Sequence, residues 1–296
     1  MALSYENCAL CEHRCGVNRH LGERGFCQMT DEITVARAAL HKWEEPIISG
    51  SRGSGAIFFS GCSLGCSFCQ NREISRGQSG RVISTGRLAE IMLELKDLGA
   101  HNINLVTPTH FAPAVKEAII IAKGSGLDIP IVYNTSSYDT PEALRALDGL
   151  VDVYLPDFKY YTPKTAKKLS FAENYPDAAK QAVAEMVRQK PKPEIKEGIM
   201  TSGVIARILL LPGHVAEAKL VLKYLYGTYG DSIYVSLMNQ YTPMPDMQKP
   251  LDRRVTHAEY EDLVAYAEKL GLKNGFTQDF GTATKAFIPE FDNTGV

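Results

Sequence analysis

Three closely spaced cysteines, in the stretch GCSLGCSFCQN at residues 61 to 71, are the residues of this sequence best suited to chemistry. Cys62, Cys66 and Cys69 follow the spacing C-x3-C-x2-C, one ligand short of the four thiolates that close a structural metal site. In a cubane iron–sulfur cluster, three thiolates leave one iron without a protein ligand, and that iron can bind a substrate or a cofactor. A zinc knot with a fourth ligand from elsewhere and buried structural cysteines are the alternatives.

Other residues of this loop favour an open cluster. Gly61 and Gly65 let the backbone approach a cluster closely, where amide N–H groups can donate to its sulfides. Phe68, between two of the cysteines, can cover the cluster or contact a flat ligand. We therefore predict that the three cysteines form a catalytic centre and that Phe68 contacts its cofactor.

A second cysteine set lies near the N-terminus. Cys8, Cys11, Cys15 and Cys27 have the spacing C-x2-C-x3-C-x11-C, which is a complete set of four thiolates. A [4Fe–4S] cluster and a structural Zn²⁺ both accept four thiolates at such spacing, so the residues alone leave both open.

Composition and charge exclude several classes of protein. The chain has 296 residues, 45% of them hydrophobic, with 32 Lys and Arg against 34 Asp and Glu. This balance provides no net field that attracts nucleic acid or an anionic membrane. The first residues, MALSYENC, do not resemble a signal peptide, and no aliphatic run is long enough to span a bilayer. We expect a cytoplasmic protein, in which clustered thiols are metal ligands more often than disulfides.

The elements that must position the cysteines divide into two parts. Residues 1–50 are rich in cysteine and polar residues, and we predict a small metal-binding module there. Residues 51–296 show apolar strands alternating with amphipathic helices, and we predict one barrel domain. The predicted strands are 55–61, 103–106, 130–134, 151–157, 204–213 and 232–238, and each is followed by a helical pattern.

Six alternating units indicate an α/β fold with a parallel sheet, either open or curled into a partial barrel. Polar or glycine-rich residues follow the predicted strands repeatedly, as at Thr107–His110, Asn134–Ser136 and Asp157–Lys159. Functional groups at the carboxyl ends of several strands are typical of a barrel active site. A stretch at 175–202 interrupts the pattern, and the sequence assigns it no role.

The cysteine loop directly after the first barrel strand resembles that of the radical S-adenosylmethionine (SAM) superfamily. Within it, the chain is most similar to the pyruvate formate-lyase activating enzyme-like proteins. The similar passages are VARAALHKWEEPIISG, FFSGCSLGCSFCQNREIS, NLVTPTH, VYLPDFKYY and LLLPGH. The resemblance implies a partial (β/α)6 barrel of TIM type and a [4Fe–4S] cluster on Cys62, Cys66 and Cys69. It also implies that the open iron chelates SAM, whose reductive cleavage yields a 5′-deoxyadenosyl radical that abstracts hydrogen from a substrate.

The resemblance assigns further SAM contacts at the strand ends. Asp157 and Lys159 match a D-x-K motif in which the lysine neutralises the SAM carboxylate; a surface charge pair is the alternative. Asn134 and Ser136 match polar residues that contact SAM after the third strand, although Asn and Ser also form turns.

The second strand departs from the family pattern. Many members have Gly-Gly-Glu-Pro there to hold the SAM amino group, whereas this chain has Thr107, Pro108, Thr109 and His110. Thr107 and Thr109 could supply hydroxyl and carbonyl groups to SAM. By position His110 and His214 also face the predicted site, with helix capping or packing as the alternative, and we include His214 among the cofactor contacts.

The resemblance also suggests what surrounds the reaction. A second [4Fe–4S] cluster at the N-terminal cysteines would serve a reductive enzyme as an electron relay or a substrate anchor, so we favour it over zinc. A flavodoxin or a ferredoxin would supply the electron. The predicted partner is a glycyl radical enzyme, whose glycine loses the hydrogen. A small molecule or another peptide as substrate is the alternative, and a non-catalytic Fe–S or Zn protein is a third hypothesis.

Overall fold

The computed structural model describes residues 3–77, 79–279 and 289–296. One sheet runs through the whole of this region, and helices cover it. The strands are β1 (Ile33–His41), β2 (Ser54–Phe59), β3 (Arg81–Ile83), β4 (Ile103–Val106), β5 (Ile131–Thr135), β6 (Val153–Pro156), β7 (Glu194–Lys196), β8 (Ile199–Leu209), β9 (Tyr234–Met238) and β10 (Gly275–Thr277).

The α-helices lie mainly between consecutive parallel strands, as a (β/α) barrel requires. They are α1 (Pro46–Ser49), α2 (Arg72–Ser75), α3 (Thr85–Asp97), α4 (Ala112–Gly124), α5 (Pro141–Arg145), α6 (Pro163–Ser170), α7 (Tyr175–Gln189), α8 (Val215–Tyr229) and α9 (His257–Leu270). Short 3-10 turns occur at Arg19–Leu21, Thr109–Phe111 and Gly230–Ser232.

The strand order is β10-β9-β8-β6-β5-β4-β2-β1-β3, with β7 added to β8 as a hairpin. Neighbours from β2 through β10 pair in parallel, whereas β1 pairs antiparallel with both β2 and β3. In the described part of the chain the two ends of this order do not pair with each other, so the barrel is partial. The predicted α/β partial barrel is confirmed. In the described residues β10 adds a seventh parallel strand to the six predicted, and β1, β3 and β7 add antiparallel strands.

The predicted elements form where their apolar spacing requires. In α3, Leu88, Ile91, Met92 and Leu95 recur on one face and are all buried, and the Ser84 side chain caps the first turn by accepting from the Arg87 amide. All six residues of β2 are buried, as its continuous apolar run predicts for a central parallel strand. The strand therefore delivers the cysteine loop directly to the barrel's carboxyl edge.

The N-terminal fifty residues serve more than one purpose in the fold. The cysteines lie in residues 3–30, but residues 33–41 form β1 and continue the main sheet beside β2. Residues 46–49, which form α1, turn under the barrel, where Ile48 is fully buried against Val132, Val153 and Ile205. We define residues 42–50, which carry α1, as the barrel floor.

Arg19 attaches the cysteine-bearing segment to the barrel. The side chain is fully buried, and its guanidinium donates to the backbone oxygens of Met29, Thr30 and His110. The rings of Tyr5 and Phe111 lie on its faces, with centroids 4.7 and 5.6 Å from the guanidinium carbon. The guanidinium also donates to the Cys8 sulfur across 4.0 Å. Removal of Arg19 therefore leaves several buried acceptors without a donor.

We therefore expect Arg19→Met to loosen residues 3–30 and to lower the free energy of unfolding by about 3 kcal/mol. Urea denaturation measures the loss, and limited proteolysis should cut this segment faster than in the wild type. Arg24→Met is the control, because exposed Arg24 donates to the Gln28 carbonyl and to no other described residue. Equal proteolysis of the two variants would contradict this role of Arg19.

Candidate active site

A cavity of about 510 Å³ lies inside the barrel at the carboxyl ends of its strands. Strand-end residues line it, including Val106, Thr107, Ser136, Asp157 and Leu209. The thiols of the cysteine loop line it as well, together with the barrel floor. The residues that line the cavity include Trp43, Glu44, Glu45, Cys62, Leu64, Cys66, Phe68, Cys69, Asn71, Thr107, Asn134, Ser136, Asp157, Lys159, Arg207 and Tyr241.

Backbone and side-chain donors surround the cysteine sulfurs. The amides of Leu64 and Gly65 each lie 3.4 Å from the Cys62 sulfur and donate to it. The Ser170 hydroxyl donates to the Cys66 sulfur across 3.0 Å. Such donors stabilise negative charge on sulfur, which is what a metal-bound thiolate needs.

The two glycines of the loop are required by close packing. Gly61 and Gly65 have φ of +83° and +59°, in the left-handed region that favours glycine. A Cβ at Gly61 would lie 2.3 Å from the Met29 side chain, and one at Gly65 would lie 3.0 Å from the Phe26 ring. The cysteine loop is therefore held directly against the N-terminal segment.

The residues fit an open iron–sulfur cluster with a polar cofactor. Burial, and then the neighbouring thiols, raise the pKa of the Cys62 thiol to about 12, so three thiolates can coexist here only beside a compensating positive charge. A cluster's irons supply that charge. Ser136 and Asn71 both line the cavity. The Ser136 hydroxyl and the Asn71 amide oxygen are buried and find no hydrogen-bond partner among the described residues, as expected where a polar ligand binds.

Charged side chains continue from the cysteine loop toward the barrel floor. The Lys159 ammonium lies 2.7 Å from one carboxylate oxygen of Asp157, and Arg207 Nε lies 2.7 Å from the other. Arg207 Nη1 in turn lies 3.2 Å from a carboxylate oxygen of Glu44, on the floor. Burial pushes the pKa of Asp157 up, but Arg207 and Lys159 outweigh it and hold that pKa below its usual value. Asp157 is therefore ionised at neutral pH.

The pKa of the Lys159 ammonium also depends on the nearby cysteines. Burial pushes the pKa of its ammonium down, but Asp157 and the Cys66 thiol outweigh it and raise that pKa above its usual value. Its charge in turn lowers the pKa of Cys69, although burial and Cys66 raise that pKa overall. A permanently charged ammonium thus lies close to the predicted cluster.

Comparison with known proteins identifies the family of this chain. The family model of the radical SAM superfamily matches residues 56–224. The chain belongs to the radical SAM superfamily. It is 31% identical over 280 residues to an uncharacterised protein of Methanocaldococcus jannaschii, covering 90% of this chain and 76% of that relative.

A solved structure shows the same fold. SuiB of Streptococcus suis bound to S-adenosylmethionine superposes with a TM-score of 0.52 at 13% identity, over 77% of this chain and 48% of SuiB. The structure of SuiB bound to the precursor peptide SuiA superposes with a TM-score of 0.52 at 13% identity, over 75% of this chain and 47% of SuiB. The chain thus spans about half the length of SuiB. Membership of the radical SAM superfamily implies a [4Fe–4S] cluster and SAM.

The structure of this radical SAM protein brings most of the predicted SAM contacts into the cavity. Asn134 donates to Glu44 over 3.3 Å and accepts from Arg207 over 2.7 Å. Phe68 lies beside the Tyr241 ring, with centroids 6.2 Å apart. Thr107 has φ of +60°, which is strained for a β-branched residue, and its amide donates to the Asn134 carbonyl.

Three other predicted residues lie outside the cavity lining. Thr109 is buried, with its hydroxyl 3.4 Å from that of Thr135. His110 is buried with Nε2 2.7 Å from the Ser60 carbonyl, and burial lowers its pKa to about 3, so it is a neutral packing residue. His214 directly precedes α8, and its Nδ1 lies 2.8 Å from the Pro212 carbonyl oxygen. Its side chain lines a second, much smaller cavity of about 10 Å³. The structure does not bring these three side chains to the cysteine loop's cavity.

Sequence reasoning missed Arg207, Glu44 and Glu45. Arg207 is the one charged residue in the apolar run VIARILLL, and a lone charge in a buried strand signals a partner inside the barrel. The paired glutamates precede Pro46 in a segment assigned to the N-terminal module, which hid their place on the barrel floor. A search for polar residues after predicted strands covers only the carboxyl edge of the sheet, so it did not include Arg207, Glu44 or Glu45.

The four N-terminal cysteines converge near the radical SAM loop. Cys8, Cys11 and Cys27 are buried, and Cys15 is exposed. Burial raises the pKa of the Cys11 thiol above its usual value, and the Cys27, Cys15 and Cys8 thiols add to that rise. In the described part of the chain, no three His, Cys, Asp or Glu side chains form a group that could hold a single metal ion. The choice between a cluster and zinc here stays a prediction.

The described helices are too short or too polar to cross a bilayer.

Glu45 is the least compensated carboxyl of the site. Only 7% of the residue is exposed, and burial raises the pKa of its carboxyl from the usual 4.5 to about 7. Arg207 and the Ser236 hydroxyl oppose that rise, whereas Glu44 and Asp157 add to it. At neutral pH this carboxyl is therefore near the midpoint of its titration.

This shift predicts a pH-dependent stability. Because its pKa is higher in the folded state, the carboxyl retains a proton that the unfolded chain releases, so the free energy of unfolding falls as pH rises from about 4.5 to about 7. Glu45→Gln removes this loss. Urea unfolding should show its stability advantage over wild type growing by about 2 kcal/mol between about pH 5.5 and about pH 8.5. Glu117→Gln, on an exposed position of α4, is the control. A constant difference across this range would refute the shift.

Proposed function

We propose that this chain is a radical SAM enzyme whose cluster is bound by Cys62, Cys66 and Cys69. One observation carries the proposal: the three thiols share a cavity with a buried ammonium and with polar atoms that have no hydrogen-bond partner in the described part of the chain. When bound, the [4Fe–4S] cluster and SAM supply the 5′-deoxyadenosyl radical that abstracts hydrogen from a substrate. The barrel's own residues bind, orient and shield the reactants.

Lys159 is the proposed partner of the SAM carboxylate. Asp157 holds the ammonium in place across 2.7 Å, and the Lys159 amide donates to the Tyr175 hydroxyl, which fixes the backbone. Thr107 and Ser136 provide polar atoms on the neighbouring strand ends. These contacts orient SAM before any bond breaks, which is the main contribution that a protein makes to cofactor chemistry.

Apolar side chains keep water away from the cysteine loop. Leu64 is fully buried and Phe68 nearly so, and both line the cavity beside the three sulfurs. Tyr241 packs against Phe68 and donates its hydroxyl to the Leu251 carbonyl. A dry site strengthens the electrostatic contacts to SAM and protects a radical from side reactions.

For the N-terminal cysteines we propose a second [4Fe–4S] cluster, with structural zinc as the alternative. The thiols of Cys8, Cys11, Cys15 and Cys27 are the proposed ligands. Support comes from the direct contact of this segment with the cysteine loop at Gly65, because electron transfer requires such proximity. A flavodoxin or a ferredoxin is the proposed reductant.

The resemblance to activating enzymes supports a glycine residue of a partner glycyl radical enzyme as the substrate. A second candidate is a small molecule or another peptide. The buried carboxyl of Glu45 favours it, because glycine carries no charge that such a group would bind. The fold neighbour SuiB, solved with a precursor peptide, also supports a peptide substrate.

Metal content and SAM cleavage test the cluster assignments. Anaerobically purified protein should hold about eight irons if both sites carry clusters, or about four with one zinc otherwise. Cys66→Ala should lose about four irons and all reductant-dependent 5′-deoxyadenosine, because an open cluster needs all three thiolates. His214→Ala, which lies outside the cavity, should retain both. Cleavage that persists in Cys66→Ala would refute the ligand assignment, and its absence in the wild type would favour the non-catalytic hypothesis.

Electron paramagnetic resonance tests the partner. Mixing the reduced protein and SAM with a candidate glycyl radical enzyme should produce a glycyl radical signal, because hydrogen loss leaves the unpaired electron on that glycine. The same mixture with Cys66→Ala should stay silent. If the candidate partners give no signal while a small molecule accelerates SAM cleavage, the activase hypothesis is wrong and the second candidate stands.

A further inference from the structure

The barrel floor and the cysteine loop lie at opposite ends of β2. His41, just before the floor, pairs with Ser54 at the start of this strand, whereas the cysteine loop follows its last residue, Phe59. The five residue steps from Ser54 to Phe59 span roughly 17 Å. Residues on the floor are therefore separated from the predicted cluster by about the depth of the barrel.

The floor is fixed in this position by hydrogen bonds. The Asn102 side chain donates to the Ile48 carbonyl across 2.8 Å, and the Ser54 hydroxyl donates to the Asn102 side chain across 2.5 Å. The Glu45 carbonyl accepts from the amides of Ile48 and Ser49, which closes the first turn of α1. The Glu45 backbone is thus held firmly, and the side chain lines the cavity.

The buried charges of the cavity do not balance. Among the described lining residues, and leaving aside the exposed Lys42, Lys159 and Arg207 supply two positive charges, whereas Asp157, Glu44 and Glu45 supply three negative charges when ionised. The ammonium binds Asp157, and the guanidinium binds Asp157 and Glu44. Among the described residues Glu45 forms no ion pair, and only 7% of its surface is exposed. One negative charge is left for a ligand to compensate.

Trp43 lines the same cavity two residues before Glu45 and is 62% exposed, so its indole can report on binding at the floor.

We propose that Glu45 binds a protonated alkylamine group of the substrate at the barrel floor. The inference rests on the proposed function with its second candidate substrate, a small molecule or another peptide, and adds the chemical class of that substrate. The cysteine end of the cavity takes SAM, so the amine anchors the opposite end of the substrate and directs its reacting carbon toward the cysteine loop. The Glu45 carboxylate forms an ion pair there and is not consumed.

The only tryptophan of the chain provides a direct binding assay. Trp43 fluorescence is titrated in anaerobic, cluster-loaded protein with SAM and without reductant, so that no turnover occurs. One probe pair is N-acetyl-lysine amide and N-acetyl-norleucine amide, and the other is n-butylamine and 1-butanol. Each pair compares a cation with a neutral molecule of similar shape. The lysine pair tests a peptide side chain and the butyl pair a free amine.

In at least one pair, the cationic probe should bind wild type at least tenfold more tightly than its neutral counterpart. Glu45→Gln should lose about tenfold in affinity for that cation and keep its affinity for the neutral probe. Glu117→Gln, an exposed site on α4, should behave as wild type. Unchanged SAM affinity in Glu45→Gln establishes that the variant is folded.

Equal binding of cation and neutral probe in both pairs, or no response to any probe, would overturn the inference. Unchanged cation affinity in Glu45→Gln would do the same. Formation of 5′-deoxyadenosine, measured separately with reductant, reports on the proposed function. Cleavage without a charge preference rejects only the amine site, whereas a charge preference without cleavage supports the site and rejects the proposed function.

Discussion

The buried carboxylate of Asp157 connects the parts of this barrel that must act together. It follows β6 and binds Lys159 beside the cysteine loop and Arg207 on β8, and Arg207 extends the contact to Glu44 on the barrel floor. Removing one partner of such a buried group typically costs about 3–5 kcal/mol, because the other charges are left uncompensated. The arrangement therefore fixes the positions of the loop, two strands and the floor relative to one another.

The N-terminal segment supports the same centre from outside the barrel. Gly61 and Gly65 leave room for Met29 and Phe26 to pack against the cysteine loop. Arg19, buried between two aromatic rings, holds the segment to the barrel through backbone carbonyls. The two cysteine sets are consequently neighbours in space, although the strand β1 and the floor separate them along the chain.

Helices after β6 complete the site, which gives a structural role to the stretch at 175–202. The Tyr175 hydroxyl, at the start of α7, donates to the backbone carbonyls of Ser136 and Asp157. The last residue of α6, Ser170, donates to the Cys66 sulfur and contacts the Tyr160 hydroxyl at 2.7 Å. These bonds hold two strand ends and one cysteine from the side opposite the cavity, so loss of either helix would alter the site.

Local signals in the sequence predicted the parallel sheet and singled out the central cysteines. Apolar strands alternate with amphipathic helices at short range, and Cys62, Cys66 and Cys69 lie within eight residues, so neither inference needs long-range contacts. The choice of a barrel over an open sheet came from the resemblance to the radical SAM superfamily. Asp157 and Lys159 followed from the same logic, because parallel strands end at one edge of the sheet.

Only the tertiary structure could bring Arg207 and the floor glutamates to these residues, since they come from segments far apart in the chain. The tertiary structure also decided which strand-end side chains line the cavity. Thr107 lines it, whereas Thr109 is buried in the following 3-10 turn, because a helical turn directs successive side chains to different sides. Spacing along the chain determines which groups can share a loop or a strand end, whereas burial and charge compensation depend on contacts that form only when the barrel closes around its floor.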